Sequence, residues 1–239
     1  MEKRLAGTDL KDSIAIQRAK GQLPHGNIGA IIFDELRIEA ETFVDKIENY
    51  TKGKHLDTLE IDFEIEGFNL FGRLADIYEK GLFQICYANT KAKYLLKTWI
   101  YHLILCSFNV KKYPVNSILI CKDSAWEFGP VNNSRGVLRH LLNYYWKGLI
   151  KPLHFFPESS FKYAQGIMIK KKSQERVLRD ARNKWIGSDF VSGESQDPYY
   201  KLCFGKTDPI DEEFRKTAEK IFSPLLGFCR EIVLMNRKS

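Results

Sequence analysis

The stretch "LEIDFEI" (59–65) alternates strictly between apolar and acidic side chains. Leu59, Ile61, Phe63 and Ile65 fall on one face, and Glu60, Asp62 and Glu64 on the other. That is the period of a strand with one wet face. "FNLFGRLADIY" (68–78) predicts a second strand, and the Glu79-Lys80-Gly81 turn leads into a third over 82–88. Upstream, Ile28, Ile32, Leu36, Ala40, Phe43 and Ile47 recur at intervals of three and four, predicting an amphipathic helix over 28–48. Asp34, Glu35, Glu41, Asp45 and Glu48 form its acidic, solvated side. Leu95, Leu96, Trp99, Ile100, Leu103 and Cys106 give residues 91–108 an apolar face so wide that burial on most sides is expected. "SILIC" (117–121) is a continuous apolar run, suited to a strand covered on both faces. The order is helix, three strands, helix, strand.

Beyond residue 121 the pattern turns mostly helical. Helices are predicted near 134–148, 158–168, 173–186 and 211–228, with Ser134 and Ser173 as N-caps. The stretch 187–210, with "GSDFVSGESQDP", is the most loop-like. Before the core, residues 8–20 predict a leading helix and "GQLPHGNIG" (21–29) a turn-rich hinge. The fold class expected is α/β (α+β): one domain over 1–239, with a leading helix and hinge (1–27), an αβββαβ core (28–121) on a mixed central sheet, and a mainly helical extension (122–239).

The 239 residues are 44% hydrophobic and 13% aromatic, enough for a packed core rather than a disordered chain. No apolar run approaches the roughly 18 residues of a membrane span, so no membrane contact is expected. "MEKRLAGTDLKDS" lacks the apolar region of a signal peptide, which makes a cytoplasmic location the expectation. Cys86, Cys106, Cys121, Cys203 and Cys229 form no C-x-x-C pair and are expected as reduced core thiols. The formal charge of +7 permits contact with nucleic acid without demanding it.

An αβββαβ order is the core of the restriction-endonuclease-like, PD-(D/E)xK, nucleases. Their chemistry uses a divalent metal to polarise the scissile phosphate and activate water, and magnesium demands carboxylate ligands. An acid on the second strand and an acid-x-Lys on the third supply them, the spacing of two placing both groups on one face. In nucleases of the exonuclease V beta type, a Gly precedes the first acid by three. With Gly72 in that role the acid falls at Ala75, and the third-strand positions fall at Cys86 and Ala88. A mostly protonated thiol and two methyl groups cannot hold magnesium, so no catalytic residue and no metal are expected. Alternation turns Asp76 to the opposite face from Ala75 unless a bulge intervenes. A live nuclease would need a migrated site, with Asp76 and Lys91 or Lys93.

The remaining residues with chemistry have plainer readings. His25 sits in a turn, and His102 is expected as a hydrogen-bonded core histidine. His140 and His154 are isolated. Ser159-Ser160 reads as a helix start, without the Gly-x-Ser-x-Gly elbow of a nucleophile. No P-loop is present, so no ATPase motor is expected. Arg135, Arg139 and Lys147 fall on one helical stripe, and Lys170, Lys171 and Lys172 precede a helix bearing Arg176, Arg179 and Arg182. Of these, Arg135, Arg139, Lys147, Lys171, Arg176 and Arg179 are the candidate contacts to a phosphate backbone. A solvated helix face or an acidic protein partner would explain the same stripes.

"LPHGNIGAIIFDEL", "GRLADIY", "GLFQICYANTKAKYLLKTWIYHLIL", "KGLIKPLHFFPESSFKYA", "DPYYKLCFG" and "FSPLLGF", in that order over residues 20–228, carry a resemblance. They resemble the C-terminal domain of the exodeoxyribonuclease V gamma subunit (RecC) family. The resemblance implies a nuclease-like fold without nuclease activity, in agreement with Ala75, Cys86 and Ala88. It implies a fragment of a larger subunit, within the RecBCD helicase-nuclease that processes double-strand breaks for recombinational repair. There the family holds RecB and RecD together, with RecD a neighbour of this domain, and guides DNA, single-stranded or at the fork. No cofactor and no small-molecule substrate follow from it. An autonomous single-strand binder is the further alternative.

Overall fold

The structure, a computed structural model, describes residues 10–108, 112–205 and 207–232. The chain divides into two compact units, Met1–Lys52 and Gly53–Ser239.

The first unit holds α1 (Leu10–Ala19) and α2 (Gly26–Tyr50). Between them the chain turns back so tightly that a Cβ on Gly29 would meet the Pro24 carbonyl oxygen at 2.0 Å. The Arg18 guanidinium donates to the Gly26 carbonyl across the turn at 3.2 Å. On α2 the apolar stripe is only partly used. Phe43, Val44 and Ile47 are buried, whereas Ile28 (64% exposed) and Leu36 (54%) are open. Arg37 pairs with Asp34 and Glu41 on the same helix.

In the second unit, β1 (Leu59–Ile65) and β2 (Phe68–Leu74) form an antiparallel hairpin, with Ile65 opposite Phe68. Burial follows the alternation of "LEIDFEI", except that Phe63 is half-buried. The expected single strand over 68–78 is split. Asp76 takes φ +58°, a left-handed conformation that aspartate tolerates better than most side chains. The chain then leaves the hairpin and enters a different sheet as β3 (Ile77–Tyr78).

That sheet has the order β3-β4-β5-β6-β7, with β4 (Gly81–Ile85), β5 (Ser117–Ile120), β6 (Ala125–Phe128) and β7 (Cys229–Ile232). Only β4 and β5 are parallel, joined by α3 (Ala92–Phe108) as crossover. The sheet is thus mixed and the protein α+β. All four residues of β5 are buried, as a strand covered on both faces requires. β6 and β7 lie within the extension that was expected to be mainly helical, and their pairing adds the last described residues to the sheet.

Around the sheet lie α4 (Ser134–Ile150), α5 (Pro157–Met168), α6 (Gln174–Ile186), a 3-10 turn (Glu194–Gln196), α7 (Pro198–Phe204) and α8 (Glu212–Phe228). Leu95, Trp99 and Leu103 of α3 are fully buried, and the Trp99 ring stacks on Phe128 and Phe228 at 6.1 Å each. A second cluster centres on Phe156, whose ring contacts Trp185 at 4.2 Å, Tyr200 at 5.1 Å and Phe204 at 5.2 Å. The Asp197 carboxylate caps α7 by accepting from the Tyr199 and Tyr200 N–H groups. "HFFPESS" and "DPYYKLCF" are therefore the two halves of one aromatic cluster. Ser173 is the N-cap of α6 by position but its side chain makes no cap bond, and Asn133, not Ser134, precedes α4. Cys86, Cys106 and Cys229 are half-buried and Cys121 is buried, while Cys203 is exposed and is not a core thiol. Among the described residues no helix is long and apolar enough to cross a membrane.

Candidate functional site

The site the sequence singles out lies at the end of β4. The strand stops at Ile85 rather than 88, so Cys86 and Ala88 occupy the turn beyond it. The ladder continues one step, since the Cys86 N–H donates to the Ile120 carbonyl at 2.9 Å. The Ala88 N–H then turns back onto the Cys86 carbonyl at 2.8 Å, and the Ala88 carbonyl accepts from the Lys122 N–H at 3.0 Å. Cys86 and Ala88 are both half-buried, and Tyr87 between them is exposed. The Cys86 sulfur lies against the Tyr94 hydroxyl, a contact that raises the phenol above its ordinary pKa.

Ala75 and Asp76 stand on the neighbouring chain. The Asp76 carbonyl accepts from the Phe83 N–H at 3.0 Å. The left-handed turn at Asp76 breaks strand alternation there, and both side chains are exposed. The regular pleat ends at Leu74, so the alternation on which the facing of Asp76 rests is interrupted there.

The carboxylates nearest in the fold serve as structural acceptors. One Asp123 oxygen accepts from the Thr90 N–H at 2.7 Å and from its hydroxyl at 2.8 Å. Glu158 reaches from the start of α5 to accept the Ala92 N–H at the N-terminus of α3, at 2.8 Å. Burial raises the Glu158 pKa, while the positive end of α3 favours its charge. Glu194 does the same for α5, accepting from the Glu158 N–H, the Ser159 N–H and the Ser159 hydroxyl at 2.9, 2.8 and 2.6 Å. Ser159 is thus part of a helix start, as its sequence context suggests. Among the described residues no three His, Cys, Asp or Glu side chains converge in a group that could hold a metal ion.

His102 is a core residue. The Ser117 hydroxyl lies 2.9 Å from its Nδ1, and its Nε2 lies 2.9 Å from the Gly129 carbonyl. A carbonyl can only accept, so Nε2 carries the proton and Nδ1 accepts from Ser117. Burial lowers its pKa to about 4.

The basic candidates separate into two groups. Arg135 lies over the Phe63 ring at 5.6 Å, and Arg139 pairs with Glu66 at the hairpin turn at 3.3 Å. Both tie α4 to the β1–β2 hairpin. Lys147 lies 5.4 Å from the centre of the Tyr144 ring. The other group is on the α5–α6 connection and α6. Lys171 is exposed with φ +45°, and Arg176 and Arg179 are exposed on α6. Arg182 is engaged by Asp208 at 2.8 Å. Lys162 on α5 and Lys184 on α6, which the stripe pattern passes over, lie on the same packed helix pair, where Lys172 of the connection reaches Asp180 of α6 at 2.6 Å, and repulsion from Lys170, Lys172 and Lys184 lowers the Lys162 pKa after partial burial. The signal that could have found them is the pairing of α5 with α6, not any periodicity within one helix.

A mixed α+β domain with a five-stranded sheet, a parallel β4–α3–β5 unit and a separate β1–β2 hairpin is the class that the fold defines. The comparisons narrow this. The RecC C-terminal domain family matches residues 1–167, and the chain belongs to that family. It is 25% identical over 236 residues to the RecBCD enzyme subunit RecC of Buchnera aphidicola subsp. Schizaphis graminum, covering 94% of this chain and 22% of that protein. It is 23% identical over 222 residues to the RecBCD enzyme subunit RecC of Escherichia coli K12, covering 88% of this chain and 19% of that protein. The chain spans about a fifth of the length of these curated relatives.

Proposed function

We propose that this chain is a non-catalytic scaffold and DNA-guiding domain of a RecBCD-type helicase-nuclease complex acting in recombinational repair of double-strand breaks. The observation that carries the non-catalytic part is the occupancy of the two acid positions by Ala75 and Cys86 and of the lysine position by Ala88, with Asp123 and Glu158 committed to hydrogen bonds with backbone N–H groups nearby. The nuclease-like arrangement then serves as a rigid platform. The RecC names of the relatives support the complex and its RecB and RecD subunits as partners; RecD is the docked neighbour in this proposal.

Exposed apolar faces support a docking role. Tyr145 (60% exposed), Trp146, Leu149 and Ile150 (71%) stand open at the C-terminal half of α4, and Tyr199 and Leu202 on α7. Large exposed apolar groups clustered on one element mark surfaces that another chain covers. Charge supports the DNA-guiding part: all six expected contacts are exposed, Arg135, Arg139 and Lys147 on α4, Lys171 before α6, and Arg176 and Arg179 on α6, with Arg139 paired to Glu66. The test is co-elution of the purified chain with purified RecD and RecB subunits. A stable complex that is weakened by Trp146→Glu with Leu149→Glu supports the reading. Failure to associate with either subunit overturns the scaffold role.

A further inference from the structure

A ridge of lysines runs along the α5–α6 hairpin. The two helices approach so closely that a Cβ on Gly166 would meet Val177 Cγ1 at 2.4 Å. The short turn between them folds back on α5, where the Lys170 and Lys172 N–H groups donate to the Gln165 and Gly166 carbonyls at 3.1 Å each. In such a hairpin, residue 162, one turn before the crossing, stands opposite residues 180 and 184 on the returning helix. Lys162 is half-buried and set among Lys170, Lys172 and Lys184. Partial burial first, then these like charges, hold its ammonium below its ordinary pKa.

The carboxylates in reach do not neutralise this ridge. Asp180 is paired with Lys172 at 2.6 Å. Glu158, flanked by Lys184 and Lys91, accepts from the Ala92 N–H. Among the described residues Lys91, Lys162, Lys170 and Lys184 form no ion pair. Lys172 has its counter-charge in Asp180 and the other four lysines have no paired one, so the cluster keeps an excess of like charge that a polyanion laid along it relieves. Just beyond Lys184, Ile186 is 64% exposed and Phe190 98% exposed. Phe190 sits in a tight turn closed by the Ser188 N–H to the Val191 carbonyl at 2.8 Å. Open apolar faces beside a cationic track suit unstacked bases.

We propose that the ridge Lys91, Lys184, Lys162, Lys170 and Lys172 is a sequence-independent binding site for the phosphate backbone of single-stranded DNA, with Phe190 as a base-stacking platform. The ligand class rests on the DNA-guiding reading above, and the site is distinct from the α4 stripe, whose arginines the hairpin engages.

The test is fluorescence anisotropy of a labelled oligo-deoxythymidine with the 239-residue chain across a salt series. The double variant Lys162→Gln/Lys184→Gln should flatten the slope of log affinity against log salt by about 1.4, from about 0.7 per phosphate contact on a single strand. Lys162→Arg/Lys184→Arg should keep the slope. Phe190→Ala should weaken binding about fivefold or more. An unchanged slope in the double glutamine variant overturns the ridge even if the chain binds DNA, and then another surface guides the strand. No binding at low salt also overturns it, and the subunit co-elution reads the scaffold role separately.

Discussion

Acid should weaken this fold through His102, and the effect can be isolated by one substitution. The imidazole is fully buried, donates from Nε2 to the Gly129 carbonyl, accepts at Nδ1 from Ser117, stacks on Trp99 and lies tilted against Phe128. Burial lowers its pKa to about 4 from an ordinary 6.5. A depressed histidine is neutral in the folded state, whereas the unfolded chain takes up its proton below about pH 6.5. The stability tied to the neutral ring is therefore complete above pH 6.5 and is lost as pH falls towards 4. A gap of about 2.5 units at about 1.4 kcal/mol each corresponds to roughly 3 kcal/mol. The assay is urea unfolding followed by circular dichroism, at pH values above, within and below this window, for the parent chain and for His102→Gln. Carboxylates titrate in both proteins and cancel in the difference. The parent should lose roughly 3 kcal/mol more than the variant between pH 7 and pH 4, although the variant starts less stable. Equal pH dependence in the two proteins would refute the assigned tautomer and the buried neutral ring.

Three further outcomes test the local geometry. Asp76→Gly should be neutral or slightly stabilising and Asp76→Val should cost about 1–2 kcal/mol, because only the latter is strained at positive φ; equal urea midpoints would contradict the left-handed turn. Glu194→Ala should cost about 1–3 kcal/mol by leaving the α5 start without its acceptor, read as a lower melting temperature that Glu194→Gln partly restores. Gly166→Ala should cost about 1–3 kcal/mol from overpacking against Val177, and Val177→Ala in the same chain should recover part of it; two costs that simply add would argue against the close crossing.

The strands with a wet and a dry face, and the apolar run of β5, were legible because one period decides their burial. The buried breadth of α3 was legible for the same reason, and so was His102 as a core residue. The split between β2 and β3 was not, since a left-handed residue leaves no mark on the apolar pattern of "FNLFGRLADIY". β6 and β7 escaped notice because "AWEF" and "CREI" are four residues each and pair across about a hundred positions. The position of Cys86 and Ala88 beside α3 could be placed from the turn before "TKAKYLL". What surrounds them could not: Glu158 at the α3 start and Asp123 on Thr90 arrive from 66 and 33 residues away. The basic stripes illustrate the same limit. Periodicity grouped Arg135 with Arg139, but Phe63 and Glu66 hold them, and it missed Lys162 and Lys184, which meet only when α5 and α6 pair.

The central claim is that a nuclease-like arrangement persists here without its chemistry. Its most direct test is cleavage of supercoiled plasmid and single-stranded DNA by the purified chain, with magnesium and then manganese, beside the Asp76→Ala variant. The account predicts intact DNA in every lane. Metal-dependent cleavage by the parent chain that Asp76→Ala, Lys91→Ala or Lys93→Ala abolishes would contradict it.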